Sequence, residues 1–473
     1  MEVVDCRAPR WRLASLAVLC VFAACKNGSA VDDSDAFVGG GTPGALVALF
    51  TATDGTSGME LWKTDGTAAG TTRVKDIDVG PASGDPLVQV AAGSTLYVVA
   101  NDGINGTELW KSDGTAAGTL MVKDINPGPG SSFFTEFTAV GSTLYFAVDD
   151  GTHGAEVWKS DGTAAGTVIV KDINPAGGSN PTRLTVAGST LFFLATDGAT
   201  FSLWKSDGTV PGTVPVKPID LTGAPALSLR LAALGSTIYF MACESATGCE
   251  LWRSDGTVPG TSLVKDINPG PSDSFPDGLT TVGSTLYFHA NGNELWKSDG
   301  TTTGTVLVKA FDPAGTSPPS GFTAIGSTVY FSACETATGC ELWKTDGTLL
   351  GTSLVKDINP GAPGSFPLEL TALGSTLYFT ATDGASGFEV WKSDGTAGGT
   401  AMVKDINPGP GSSVPFSALL AFDDVLLFAA SDGTHGTELW RSDGTPGGTA
   451  MVKDLNPGAL DGFGFAQTLV ILP

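Results

Sequence analysis

The side chains able to do chemistry in this 473-residue sequence are few in kind and regular in spacing. Its three His, at 153, 289 and 435, are too few for a His-rich metal site. His153 and His435 sit in Asp-Gly-Thr-His-Gly loops, and His289 follows a run that reads as a strand. No Gly-x-Ser-x-Gly elbow, His-Glu-x-x-His pair or Gly-x-x-x-x-Gly-Lys-Ser/Thr phosphate cradle occurs. The signatures of common hydrolases, metalloproteases and nucleotide-binding proteins are therefore missing. Carboxylates are abundant enough that spacing alone nominates no glycosidase pair. Four cysteines form two copies of one phrase, Cys243-Glu-Ser-Ala-Thr-Gly-Cys249 and Cys334-Glu-Thr-Ala-Thr-Gly-Cys340. Facing positions across a hairpin suit disulfide geometry, and no further Cys or His lies close enough in sequence to complete a metal site. Two such bridges imply an oxidising, exported location.

Net charge is −24, from 25 Lys and Arg against 49 Asp and Glu. That balance argues against nucleic acid, whose phosphates need basic side chains, and against a basic membrane-surface patch. The acidity arises repeat by repeat. Asp-Gly and Asp-Ile-Asn-Pro-Gly clusters offer oxygens of the kind Ca²⁺ takes, so calcium is the one cofactor under consideration. Their spacing is not that of an EF-hand loop, and solubilising charge with turn chemistry is the plainer reading.

The elements that position these groups come from one repeat written nine times. Nine Trp anchor it: Trp62, Trp110, Trp158, Trp204, Trp252, Trp296, Trp343, Trp391 and Trp440. Glu-Leu-Trp or Glu-Val-Trp precedes the motif in every copy but one, Ser202-Leu203-Trp204. Lys/Arg-Ser/Thr-Asp-Gly-Thr follows, and the copies end in Val-Lys-Asp-Ile-Asn-Pro-Gly or a variant of it. Self-similarity at this period signals stacked supersecondary units. The phrase resembles the ELWxxDGT tandem-repeat family of bacterial exported proteins, over residues 45–473. The resemblance implies propeller-like repeats and no particular biochemical role.

Residues 366–407 show how one repeat folds. Leu370–Leu373 and Thr376–Ala381 read as strands rich in β-formers, Glu389–Lys392 as a third and Ala401–Ile406 as a fourth. Asp383-Gly384 and Asp394-Gly395 mark turns, and Asn407-Pro408-Gly409 ends the last strand. Four short antiparallel strands in about 47 residues match a propeller blade. A Trp in mid-strand beside Leu or Val reads as packing between blades rather than as a sugar platform. The Glu before it and the turn Asp read as strand pairing and turn chemistry.

The first copy lacks its first strand, while residues 466–472 align with a first strand and little else. The expectation is an all-β propeller, one ring of nine blades, closed by Thr468–Leu472 pairing with Leu46–Thr51. An open array would leave raw β-edges.

Residues 1–25 read as a removed signal segment. Arg7, Arg10 and Arg12 precede the apolar run Leu13–Ala24, too short to span a bilayer. The run ends Val-Phe-Ala-Ala-Cys25, similar to a lipoprotein signal in which Cys25 is lipidated, with Phe22 where that pattern prefers Leu. Cleavage after Ala30 is the alternative, and it would give a secreted chain. Residues 26–44, rich in Gly and Asp, read as a flexible tether. The expected protein is an outer-membrane or cell-surface lipoprotein, a monomer held to the membrane only by its lipid. Its expected role is non-enzymatic binding or adhesion to a glycan or protein ligand. The alternatives are a polysaccharide hydrolase or lyase, or a structural envelope component.

Overall fold

A computed structural model describes residues 46–220, 229–312, 317–414, 418–463 and 469–472. The strands form nine four-stranded antiparallel sheets, eight of them simple meanders and the ninth completed by the last strand of the described chain. In blade 8 the strands are Leu368–Leu373, Thr376–Thr382, Phe388–Ser393 and Ala401–Lys404. Gly374 and Gly395 take the positive φ that the hairpin turns require, 57° and 85°. Asp394 clamps its turn, accepting bonds from the Thr396 N–H at 2.8 Å and Oγ1 at 2.7 Å. A bulge between Val390 and Trp391 inserts Val403 as an extra residue opposite them and buries it.

The blades form a nine-bladed propeller. First strands of neighbouring blades pack together at the centre, and fourth strands lie at the rim. There is no single core. Trp110 of blade 2, for example, packs with Leu49, Leu61, Val74 and Ile77 of blade 1 and Leu96 and Val98 of its own blade. A buried Trp of this kind removes ~150–250 Å² from water, on the order of 4–6 kcal/mol before entropy costs. The Trp side chains are 5–8% exposed throughout.

The ring closes within blade 1, whose innermost strand is Val470–Ile471. Ile471 faces Ala48 and Val470 faces Leu49, and the Leu472 N–H donates to the Val47 carbonyl at 2.8 Å. Thr468 lies outside the described residues. Closure also draws on residues before the tail. Phe463 stacks on Phe50 at 5.3 Å, and the Thr53 N–H donates to the Gly462 carbonyl at 2.8 Å. Lys453 Nζ reaches across the seam to the Thr71 carbonyl at 2.8 Å and lies 5.6 Å from the Trp62 ring.

Three local expectations need correction. The fourth strand of blade 8 stops at Lys404 rather than Ile406, because the Ile406 N–H is taken by the Glu389 carboxylate at 3.1 Å. The first strand starts two residues earlier than the apolar run, at Leu368. A bulge carrying Glu369 at φ 53° breaks its alternation. His289 lies inside a strand, Thr285–Ala290, instead of after one. Residues 1–45, with the signal segment, Cys25 and the whole tether, lie outside the described residues.

Candidate functional site

A four-stranded meander sends its turns to two faces. Loops joining strands two and three lie on one face with the connections to the next blade, and the remaining hairpins lie on the other. The first face is built around the Glu of the Glu-Leu-Trp motif. In seven blades this Glu is fully buried, as Glu60, Glu108, Glu156, Glu250, Glu341, Glu389 and Glu438. It anchors the connection to the next blade at both ends. Glu108 accepts the Ile125 N–H at 2.7 Å through Oε2, and the Ser132 N–H at 3.2 Å and Oγ at 2.8 Å through Oε1. Glu250 and Glu341 hold Ser274 and Ser365 in the same way, at 2.7 and 2.6 Å. Burial pushes Glu60, Glu108, Glu389 and Glu438 up to about 7, against the pull of these donors.

The residue after each anchored Ser or Gly stands where a connection turns into an innermost strand. Three of these residues are exposed Phe: Phe133 (68% exposed), Phe275 (38%) and Phe366 (44%). Phe275 and Phe366 adopt left-handed backbone, φ 47° and 50°, which a bulky residue takes only at a cost of about 1–3 kcal/mol. Carboxylate, Ser and Phe thus form one presenting device, used three times around the mouth of the ring.

The cations are largely occupied. Lys123 Nζ donates to the Thr167 carbonyl of the next blade at 2.7 Å and lies 5.4 Å from the Trp158 ring. The same Lys stands over the next blade's Trp at all nine interfaces. Positive charge is spent between blades, while turn carboxylates such as Asp113 and Asp161 face solvent. Their Thr hydrogen bonds hold them below the usual carboxylate range.

His153 and His435 are oriented by their own loops, with Nδ1 at 2.7 Å from Asp150 and 2.8 Å from Asp432. Those hydrogen bonds raise both imidazole pKa values. Cys243 and Cys249 face each other across a hairpin at disulfide distance, as do Cys334 and Cys340. Among the described residues, no three His, Cys, Asp or Glu gather where a metal ion could be held.

Sequence reasoning missed the residues at the ring centre that do not repeat. One aligned position at the innermost strands, two residues before the partner of the second strand's Tyr or Phe, carries Glu136, Arg183, Arg230, Gly278, Gly321 or Glu369, according to blade. Glu136 of blade 3 takes backbone donors at Arg183 and Leu184 of blade 4 and feels the Arg183 charge. Arg230 Nε of blade 5 lies 3.7 Å from Asp277 Oδ1 of blade 6. Aligning the nine copies and reading what varies, rather than what recurs, would have found them.

No protein-family model and no curated protein matches the chain. Solved structures similar to it include the computationally designed Ika8 protein, at 15% identity and TM-score 0.42, covering 74% of this chain and 94% of that one. BamB from Moraxella catarrhalis is similar at 13% identity and TM-score 0.39, over 73% of this chain and 91% of its own. A prolyl endopeptidase is similar at 13% identity and TM-score 0.39; 75% of this chain matches 52% of that one.

Proposed function

We propose that this is an exported, surface-anchored propeller that binds a glycan or protein ligand through the face bearing Phe133, Phe275 and Phe366, without catalysing a reaction. The observation that carries this reading is the exposed aromatic trio at equivalent loop positions, each side chain following a Ser held by a buried Glu. A ring that offers one device several times suits multivalent contact, where weak sites multiply by effective concentration. The resemblance to an exported repeat family and the leader-like residues 1–25 support the location. Glycan and protein arrays probed with the full chain test the reading. The expected result is a ligand whose binding falls at least tenfold when the three Phe are changed to Ala together, with the melting temperature unchanged. Arrays without a ligand, or a ligand indifferent to the triple change, would remove it.

The alternative, a polysaccharide hydrolase or lyase, draws on one observation: Arg230, Asp277 and His289 are polar, do not repeat and gather where blades 5 and 6 meet, Arg230 before one innermost strand, Asp277 opening the next and His289 facing Asp277 from the second strand of blade 6. Release of reducing ends from polysaccharide, abolished by Asp277→Asn, would favour it over binding alone.

A further inference from the structure

Blades 5 and 6 differ from the rest where they meet at the mouth of the ring. Asp277 opens the innermost strand of blade 6, two residues after the exposed Phe275. Arg230 immediately precedes the innermost strand of blade 5, Leu231–Leu234. The two side chains approach to 3.7 Å and stay partly open, 44% and 25% exposed. At that distance the contact is loose, and both side chains keep part of their surface in solvent. Asp277 Oδ1 is steadied by the Gly278 N–H at 2.7 Å. Behind it, His289 faces Asp277 in the strand register, and its Nδ1 lies 3.0 Å from where a Cβ on Gly278 would sit. The positive-φ glycine is therefore what admits the imidazole. The hairpin beside this group is also cut back: Ala290 pairs with Glu294 across three residues, where Thr382 pairs with Phe388 across five in blade 8.

We propose that Arg230, Asp277 and Phe275 form a subsite for an uncharged sugar residue at the mouth of the ring between blades 5 and 6, a refinement that rests on the binding reading above. A vicinal diol matches the pair: one hydroxyl donates to the Asp277 carboxylate and its neighbour accepts from the Arg230 guanidinium. The exposed Phe275 ring offers an apolar surface for the C–H face of a pyranose. The pair cancels its own charge and the chain carries −24, so neutral sugars are favoured over uronates or sulfated sugars. No other described blade joins an exposed left-handed Phe to an ion pair between neighbouring innermost strands.

The test titrates the full chain with neutral gluco-, galacto- and manno-oligosaccharides, and with oligogalacturonate as the anionic counterpart, read by saturation-transfer NMR. Neutral oligosaccharides are expected to bind and oligogalacturonate not to. Arg230→Met, at an exposed side chain that folding tolerates, should weaken binding at least tenfold, as should Asp277→Asn and Phe275→Ala. Phe133→Ala and Phe366→Ala should stay within twofold. Neutral binding that survives Arg230→Met overturns the proposal, as does the absence of any neutral ligand. If only anionic sugars or proteins bind the Phe-bearing face, the subsite falls and the binding function stands. If nothing binds there, both fall.

Discussion

Seven blades hold their outgoing connection with a buried carboxylate, and blades 4 and 6 do so without one. In blade 4 the Glu is replaced by Ser202, and in blade 6 Glu294 turns instead to the Trp296 indole at 2.9 Å and the Asn291 amide at 3.0 Å. The fourth strands there run one residue longer, Val214–Pro218 and Val306–Ala310, and the orphaned N–H is taken by backbone. Ile219 donates to the Phe201 carbonyl at 2.9 Å, and Phe311 to that of Asn293 at 3.0 Å. The rim Lys of both blades changes partner as well, Lys217 to Glu244 at 2.8 Å and Lys309 to Glu335 at 3.3 Å. Glu244 and Glu335 each follow the first Cys of a facing pair. The same exchange therefore occurs twice: a carboxylate inside the blade is traded for an ion pair to a cysteine-closed hairpin in the next. Either solution satisfies the connection, so the ring can drop its own motif where a neighbour takes over.

The largest effect should come from removing an anchor in a regular blade. Glu389→Leu strands the Ile406 N–H and the Ser413 hydroxyl in a dry interior, which costs on the order of 3 kcal/mol. Ser202→Glu in blade 4 should also destabilise, because Ile219 is already bonded and a new buried charge would find no donor. Urea melts of the two variants check both. A stabilised Ser202→Glu protein would show that blade 4 merely lost an anchor and gained no substitute. Next comes replacement of Cys243 and Cys249 by Ser, worth about 2 kcal/mol for so short a loop. Amide exchange should quicken at the junction of blades 4 and 5 and hold steady between blades 1 and 2.

The carboxylates also set a pH dependence. Four of the Glu are raised by burial from 4.5 to about 7, so their stabilisation is complete below pH 4.5 and is lost as pH rises through 7. Asp54 is lowered to about 2 by its turn hydrogen bonds, which outweigh burial, so its contribution is present above pH 3.8 and lost toward pH 2. The melting temperature is therefore expected to peak near pH 4 and to decline through pH 8, with a shallower decline when Glu60 and Glu438 are both Gln. A profile that rises from pH 5 to 8 would show that the donors around these carboxylates prevail over burial.

The fold was legible because it is local and written nine times. Trp391 in mid-strand, Asp394-Gly395 in a turn and Cys243 opposite Cys249 need only their own neighbourhood to be understood. The job of Glu389 was not legible. Its partners lie 17 and 24 residues onward, so the motif alone reads as strand pairing. The ring-mouth residues were hidden for the opposite reason. Arg230, Asp277 and His289 belong to no motif, and only the packing of blade 5 on blade 6 brings Arg230 and Asp277 together.

The smallest expected effect concerns a donor and an acceptor that come and go together. In the seven regular blades the Trp Nε1–H and the Oδ1 of the Asp after the rim Lys, as in Trp110 and Asp124, are buried with no protein partner. In blades 4 and 6 that Asp is Pro218 or Ala310, and the indole donates elsewhere, from Trp204 to the Ala195 carbonyl at 3.2 Å and from Trp296 to Glu294. Asp124 lies diagonally across the third and fourth strands from Trp110, on the same face of the sheet. If the two serve each other, Asp124→Ala should cost about 1 kcal/mol and speed exchange of the Trp110 indole proton. Ala310→Asp in blade 6 should change neither, because Trp296 already has Glu294. A Trp110 indole proton that exchanges at the same rate with and without Asp124 would leave the matched occurrence as a property of the repeat's sequence alone, with no energy attached to it.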